Sequence, residues 1–330
     1  MEAQQFGEPL VNFSVDLYRQ LLTKKHQREN IFFSPFSIFV ALSMSLAGAR
    51  GTVVSSLGHL PLILSYCYDT TVESVDFKNN YEKVRGQINA WVEHVTESKI
   101  KDILPDGSVN DLTIQVLVNA IYFKGLWNSG FDADSTRPMC FHLDSKKKRI
   151  VDMMHQKNDF MIGRSDELRA SALEIPYRGG KASMVVLLPD SYDGLSKLEK
   201  RLNAEKLLRL FRNLHPRSRI DLFLPKFKLA HSIKLKKTSI ALGVKDLFTP
   251  AADLTGISAS GKLLTSQVFH EAYVEVNEEG MEAAAATAVT RVLCCASPQF
   301  NINRPFMFVI CSLDPEAILF MGSIRDLGKK

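Results

Sequence analysis

The chain has 330 residues, of which 45% are hydrophobic and 23% charged, and its formal net charge is +5. This composition is ordinary for a globular protein, and since no run of 18 apolar residues occurs, no transmembrane helix is predicted. The basic residues are spread along the chain without interleaved aromatics, so the sequence predicts neither a nucleic-acid partner nor a membrane partner.

Helical patterns occupy the first third of the chain. Apolar residues recur at helical spacing over residues 8–25, which predicts the first helix. A second helix is expected after Ser34, which can cap it, with Pro35 at its first position. A third is predicted where five apolar residues share one face: Val84, Ile88, Trp91, Val92 and Val95.

Strand patterns dominate the remaining two thirds. Residues 113–123 (TIQVLVNAIYF) predict a strand buried on both faces. Two strands joined at Gly179 and Gly180 are predicted over residues 172–189, and the tail predicts a long hairpin. Helices followed by strands favour an α+β fold over a doubly wound α/β sheet.

Enzyme motifs are not found in the sequence. It has no phosphate-binding or dinucleotide-binding glycine motif, no zinc-protease motif and no cysteine pairs at metal-ligand spacing. The motifs therefore predict no enzyme, no cofactor and no metal. The cysteines are odd in number and two are adjacent, which favours free thiols in a reducing, cytoplasmic compartment. They are Cys67, Cys140, Cys294, Cys295 and Cys311.

Four segments resemble the serpins, the serine-protease-inhibitor superfamily. NIFFSPFSIFVALSMSLAGARGT (30–52) resembles the family's second helix and its entry, and VLVNAIYFKGLW (116–127) the central strand of its main sheet. LTGISASGKLLTSQVFHEAYVEVNEEG (254–280) resembles the strand that leads to the reactive loop, and NRPFMFVICSLDPEAILFMGSI (303–324) the C-terminal hairpin. Because the four segments are colinear, the chain is identified as a member of the family, most like its intracellular ovalbumin-like branch.

The resemblance implies one serpin domain over residues 1–330, with helices packed on a large mixed β-sheet and further smaller sheets. It also implies a monomer with an exposed reactive loop at about residues 280–298. A protease cleaves this loop, remains attached to it, and is inactivated when the loop enters the main sheet as a new strand.

The loop sequence suits both states. Small side chains would lower the steric barrier to entry, and Gly280 can adopt backbone angles that other residues avoid. The hinge residues implied by the resemblance are Glu278, Glu279, Gly280, Met281, Glu282, Ala283, Ala284, Ala285 and Ala286. A further cluster, expected where the sheet opens, is Ser34, Ser37, Asn119, His270 and Trp127.

The resemblance implies a reactive bond fourteen residues after the hinge glycine Gly280, which lies between Cys294 and Cys295. A small, mildly apolar cysteine before the bond implies an elastase-like or chymotrypsin-like target, or a cysteine protease. A second register, with Arg291 in the specificity pocket and a trypsin-like target, stays open.

Two departures from the family pattern bear on activity. Met281 stands where inhibitors usually carry threonine or another small residue, so loop entry should be slower. The chain is also short by roughly fifty residues near positions 52–62, where the family has its fourth helix and the next strand of the main sheet. Heparin binding is therefore not expected, and VESVDF (72–77) is expected to form the edge strand.

The shortening leaves an alternative open: a serpin fold used only for binding or storage, or an inactive splice form. A location outside the cell, reached by leaderless export or after removal of a leader, is the alternative to the cytoplasm.

Overall fold

The computed structural model describes residues 4–22, 29–47, 73–249, 265–280, 297–313 and 316–328. The chain forms two compact units. The first combines Met1–Phe32, Phe123–Leu229 and Val274–Lys330, and the second combines Phe33–Tyr122 and Ala230–Tyr273. The single-domain organisation expected from the sequence stays a prediction.

Six helices and twelve strands occur in the described ranges. The helices are α1 (Gln4–Leu21), α2 (Pro35–Ala47), α3 (Phe77–Val95), α4 (Leu195–Arg201), α5 (Ala204–Arg212) and α6 (Lys236–Ala241). The strands are β1 (Ile31–Phe33), β2 (Gln115–Phe123), β3 (Arg137–His142), β4 (Lys148–Ser165), β5 (Ala170–Pro176), β6 (Ala182–Pro189), β7 (His215–Pro225), β8 (Phe227–Lys234), β9 (Thr265–Val276), β10 (Gln299–Asn301), β11 (Phe306–Leu313) and β12 (Glu316–Ile324). No helix within these ranges has the length and apolar character needed to cross a membrane.

The first unit is built on a nine-stranded sheet. Its strand order is β1-β12-β11-β6-β5-β4-β7-β10, and β3 pairs with β4. The sheet is mixed, because β10 runs parallel to β7 while β11 pairs antiparallel with both β12 and β6. The predicted hairpin at Gly179 and Gly180 is confirmed, and both glycines have positive φ angles of 86° and 65°. Glycine suits this turn since it adopts such angles without a steric penalty.

A three-stranded sheet has the order β2-β9-β8. Within the second unit, α3 covers this sheet through a core that contains Val84, Val92 and Phe269, with Val116 and Val118 of β2 packed against it. The α+β class and the serpin-like arrangement of helices on sheets agree with the expectation from the sequence.

The role expected for residues 113–123 needs correction. Their apolar sequence predicts burial on both faces, and the overlapping segment 116–127 resembles the central strand of the main sheet. Among the described residues β2 instead lies at one end of the three-stranded sheet, and all nine of its residues are only partly buried. The apolar sequence therefore predicts more burial than the residues of β2 have in the structure.

The edge strand expected at VESVDF is also wrong. Residues 73–76 form no strand, and Phe77 begins α3 instead. Asp76 is the N-cap, and its carboxylate accepts a hydrogen bond of 3.1 Å from the backbone N–H of Asn79. A capping aspartate three residues before that N–H satisfies one of the free donors at a helix start, which explains why the helix begins here.

The predicted apolar face of α3 is only partly covered. Val84 and Val92 are buried, but Trp91 and Val95 are exposed. Helical periodicity reports that a face is apolar and does not report whether another element lies against it.

Truncation of two adjacent residues on α3 tests this division. Val92 is 0% exposed, so Val92→Ala is expected to lower the free energy of unfolding by about 2 kcal/mol. Trp91 is 49% exposed, so Trp91→Ala should cost less than about 1 kcal/mol despite the larger side chain. Urea denaturation followed by far-UV circular dichroism gives both values, and an equal loss for the two variants would contradict the placement of α3.

Candidate functional site

The candidate site divides between described and undescribed residues. Glu278, Glu279 and Gly280 are described, as are all members of the sheet-opening cluster. The other residues of the loop lie outside the described ranges: Met281, Glu282, Ala283, Ala284, Ala285, Ala286, Arg291, Cys294 and Cys295. The functional roles assigned to all of these positions stay predictions.

The chain that enters the loop is bound to the segment after β2. The backbone N–H of Trp127 donates to the Glu279 carbonyl and that of Phe131 to the Glu278 carbonyl, each at 3.0 Å. The indole Nε1 of Trp127 donates to the Asn277 carbonyl at 2.8 Å. Three consecutive carbonyls are thus satisfied, and a parallel bridge joins Trp127 to Gly280. The last described residues before the loop are therefore already hydrogen-bonded to the segment after β2, although they form only an isolated bridge and no strand.

Gly280 is required here by close packing of two backbones. A Cβ atom on Gly280 would lie 2.3 Å from the Cα and 2.4 Å from the nitrogen of Gly130. Real Cβ atoms do not come this close to backbone, and backbone cannot move aside as a flexible side chain can. The sequence predicts that Gly280 adopts backbone angles that other residues avoid, but its φ angle is not positive. The correct reason is the contact with Gly130.

Trp127 is held from two sides by aromatic rings. Its ring stacks on Tyr177 with centroids 4.6 Å apart, and Phe131 meets it edge-on at 6.1 Å. Trp127 is almost fully buried, and burial raises the pKa of the neighbouring Tyr177 hydroxyl. Because the ring is fixed, its N–H points reliably at the Asn277 carbonyl. The resemblance places Trp127 in the sheet-opening cluster. In the structure, its described hydrogen bonds instead join it to the chain that enters the loop.

Two ion pairs hold the side chains of the hinge glutamates. Glu278 accepts from Lys226 Nζ at 2.7 Å and from Thr136 Oγ1 at 3.0 Å, and Glu279 lies 2.7 Å from Lys124 Nζ. Burial by itself would raise the pKa of Glu278, but the hydrogen bonds from Lys226 and Thr136 outweigh it and hold the pKa below its usual value. Glu278 is therefore a charged anchor at neutral pH.

The four remaining cluster residues form one hydrogen-bonded network. The Ser34 hydroxyl accepts from the Ser37 N–H at 3.1 Å, which confirms the predicted cap of α2. Asn119 Nδ2 donates to Ser37 Oγ at 2.7 Å, and Asn119 Oδ1 lies 2.6 Å from His270 Nδ1. This network links the start of α2 to β2 and β9.

The backbone fixes the tautomer of His270. The Ser34 N–H donates to His270 Nε2 at 3.1 Å, so Nε2 must be unprotonated and Nδ1 carries the hydrogen that Asn119 accepts. Desolvation in the fully buried site, with His231 nearby, lowers the pKa of His270 to about 3. A second proton would also oppose the Ser34 N–H, so His270 is a neutral donor at physiological pH.

Sequence reasoning missed several residues of the hinge. Lys124, Thr136 and Lys226 contact the hinge glutamates, and Tyr177 stacks on Trp127, all from distant positions in the chain. None carries a local pattern that marks it, because each contact joins residues far apart in the sequence. No group of three or more potential metal ligands occurs within the described ranges.

Comparison with known proteins shows which family has this architecture. The model of the serpin family, described as serine protease inhibitors, matches residues 8–60 and 63–327. The protein Iris of Ixodes ricinus is 48% identical, with 99% of this chain and 100% of Iris covered. A leukocyte elastase inhibitor of Xenopus tropicalis is 37% identical, with coverage of 97% and 98%. The structure of uncleaved ovalbumin superposes with a TM-score of 0.89 at 29% identity, covering 97% of this chain and 99% of ovalbumin.

These matches define a protease-inhibitor class of protein built on the serpin fold. The chain belongs to the serpin family, and it is ovalbumin-like. The motif search yielded only an absence, and the matches replace it with a positive description, because the family is described as serine protease inhibitors. Enzyme motifs were therefore the wrong feature on which to judge function.

The comparisons also measure the shortening. The alignment with Iris has 378 positions and this chain has 330 residues, so at least 48 positions have no residue here. The two matched blocks of the family model are interrupted between residues 60 and 63. The size agrees with the expected deletion of roughly fifty residues, and its position near residues 52–62 stays a prediction.

The pH dependence of stability tests the state of His270. Because its folded pKa of about 3 lies below the ordinary 6.5, the unfolded chain binds a proton that the folded chain does not. The contribution of His270 to stability is therefore complete above about pH 6.5 and declines as the pH falls towards 3. His270→Asn should remove this component, so the stability difference between the two proteins should shrink on acidification. A difference that is constant from pH 7.5 to about pH 4 would contradict the neutral histidine.

A matched pair of glutamate variants tests the hinge. Glu278 is 16% exposed and Glu279 is 50% exposed, so Glu278→Gln should lower stability at pH 7 by about 1 kcal/mol and Glu279→Gln by less. The pKa of Glu278 is lowered, so its contribution is present above about pH 4.5 and is lost as the pH falls below. Thermal melts at pH 7 and at about pH 3 measure this, and equal effects of the two variants at pH 7 would refute the anchoring role.

Proposed function

We propose that this serpin is a suicide inhibitor of an elastase-like or chymotrypsin-like serine protease, cleaved between Cys294 and Cys295. The observation that carries the proposal is the parallel bridge from Gly280 to Trp127. This bridge supports a loop whose first residue, Gly280, is already paired with Trp127. Insertion of the loop between β2 and β9 would extend this pairing along the strand.

The covalent step is ordinary acyl transfer. The protease serine attacks the Cys294 carbonyl, an ester bond forms, and the peptide bond breaks. The nitrogen of Cys295 takes the proton and leaves as an amine. Inhibition requires that the ester persist, which follows if the protease is displaced before water can hydrolyse it.

Insertion supplies the free energy for that displacement. The 14 residues from Gly280 to Leu293 would form a strand of roughly 46 Å at about 3.3 Å per residue. About a dozen new backbone hydrogen bonds, each worth roughly 1 kcal/mol net, favour the inserted state. The uncleaved protein is then a kinetically trapped state.

Specificity rests on the residue before the reactive bond. Cys294 is small and mildly apolar, which suits an elastase-like pocket. A leukocyte elastase inhibitor among the relatives supports this class of target. Arg291 in the pocket, with a trypsin-like target, and a cysteine protease are the remaining candidates.

A second candidate function is binding or storage without inhibition. It is favoured by β2, whose nine residues are all partly exposed, and by the lack of any strand at residues 73–76. A sheet with fewer strands gives an inserted strand less support. Met281 would add to the barrier, because it must turn inward when the loop enters.

We also propose a cytoplasmic location. Cys140 and Cys311 are free thiols, and burial raises the pKa of the Cys311 thiol to about 12, which keeps it unreactive. Free thiols of this kind support a reducing compartment.

Incubation with a panel of proteases tests the function. We expect a complex with an elastase-like or chymotrypsin-like enzyme that survives SDS electrophoresis, with a released fragment that begins at Cys295. A fragment that begins at Val292 would instead support the Arg291 register. Met281→Thr should increase the fraction of protease trapped, and the matched variant Met281→Arg should be cleaved without trapping.

The melting temperature after cleavage separates the two candidate functions. Insertion should raise it by about 15–20 °C, given about a dozen new hydrogen bonds. Cleavage with neither a covalent complex nor a higher melting temperature would refute inhibition and leave the binding or storage function.

A further inference from the structure

A bulge in the nine-stranded sheet places an arginine in an unusual backbone conformation. Asn158 pairs with Ile220 and Phe160 pairs with Arg217, so Asp159 of β4 faces both Ser218 and Arg219 of β7. Arg219 has a φ of 60°, which belongs to the left-handed region where glycine is favoured. An arginine at this position strains the backbone, and such strain is often found next to functional sites.

The acidic residue in the bulge does not neutralise the arginines. The Asp159 carboxylate accepts from the Arg219 backbone N–H at 2.9 Å and from Ser218 Oγ at 3.2 Å. Arg217 and Arg219 are both exposed, and within the described ranges neither guanidinium has a hydrogen bond or an ion pair. Asp159 thus holds the shape of the bulge and leaves two cations facing solvent.

The bulge lies beside the point where the reactive loop rejoins the sheet. β10 follows the loop and runs parallel to β7, with Gln299 paired to Asp221 and the Pro298 carbonyl accepting from the Asp221 N–H at 3.0 Å. Lys157 donates to Ser297 Oγ, and its Nζ lies 3.8 Å from the Asp221 carboxylate. Extending the parallel register by two residues brings Ser297 level with Arg219. We call Lys157, Arg217 and Arg219 the stem patch.

We infer that the stem patch is a docking surface for an acidic rim on the target protease, beside the cleft that takes residues after the reactive bond. The inference rests on the proposed function, because only Ala296 separates Cys295 from Ser297. A protease that binds this bond would therefore come within two residues of Ser297, which Lys157 of the stem patch contacts. Arg217 and Arg219, which are unpaired within the described ranges, would attract an acidic partner at the edge of such a contact and speed its association.

The acidic groups nearby are committed to other partners. Asp159 is occupied within the bulge, and Asp221 accepts from His155 at 3.0 Å as well as facing Lys157. The three cations of the stem patch outnumber the two carboxylates Asp159 and Asp221, so the surface is net positive and favours an anionic partner.

The test uses two variants matched in charge. Arg217→Ala combined with Arg219→Gly removes both cations, and glycine keeps the left-handed conformation without strain. Lys237→Ala combined with Lys245→Ala removes two exposed lysines elsewhere and serves as the control. We expect association with the inhibited protease to slow by about tenfold for the stem-patch variant and by less than about twofold for the control. The rate of the stem-patch variant should also depend less on salt between about 50 and about 300 mM NaCl.

The outcomes separate this inference from the proposed function. If the wild-type protein traps a protease and both variants associate equally fast, the docking role is refuted and inhibition stands. If no protease is trapped, binding is measured by surface plasmon resonance against the same enzymes with their catalytic serine replaced by alanine. The result then decides whether the stem patch is a docking surface. Weaker binding of the stem-patch variant supports docking, whereas equal binding or none refutes it. Unchanged association with a loss of retention on heparin would assign the stem patch to polyanions and overturn the inference.

Discussion

The pairing of residues 277–280 with the segment after β2 is the constraint on which the rest of this structure depends. Three carbonyls are held by donors of Trp127 and Phe131, and two glycines, Gly130 and Gly280, let the backbones touch. A strand must be anchored at one end if it is to extend in register, because a slip by one residue would turn every side chain to the opposite face. The anchor thus fixes which loop residues would point inward.

The polar network around His270 adds a second constraint on β9. Ser34 both caps α2 and donates to the imidazole, and the imidazole donates to Asn119 of β2. Such a network is stable only when each member is satisfied, because an unpaired polar group is costly in a medium of low dielectric constant. Movement of β2 away from β9 would have to break the bond between Asn119 and His270 and supply new partners for both.

Local signals in the sequence predicted local structure well. Ser34 and Pro35 marked the start of α2, and Gly179 and Gly180 marked a turn, because caps and turns depend on residues a few positions apart. Trp91 and the reason for Gly280 could not be predicted in this way. The exposure of Trp91 depends on what covers α3, and the need for glycine at 280 depends on Gly130, 150 positions away. The family resemblance predicts the hinge, but it gives no contacts with Lys226 or Thr136.

The composition of β2 has a consequence for aggregation. Strands at sheet margins commonly carry lysine, proline or glycine, which discourage joining with foreign strands. QVLVNAIYF has none of these and no charge, and every position keeps some access to solvent. The strand contains no gatekeeper of its own, so protection against aggregation must come from other parts of the chain, from low abundance or from chaperones.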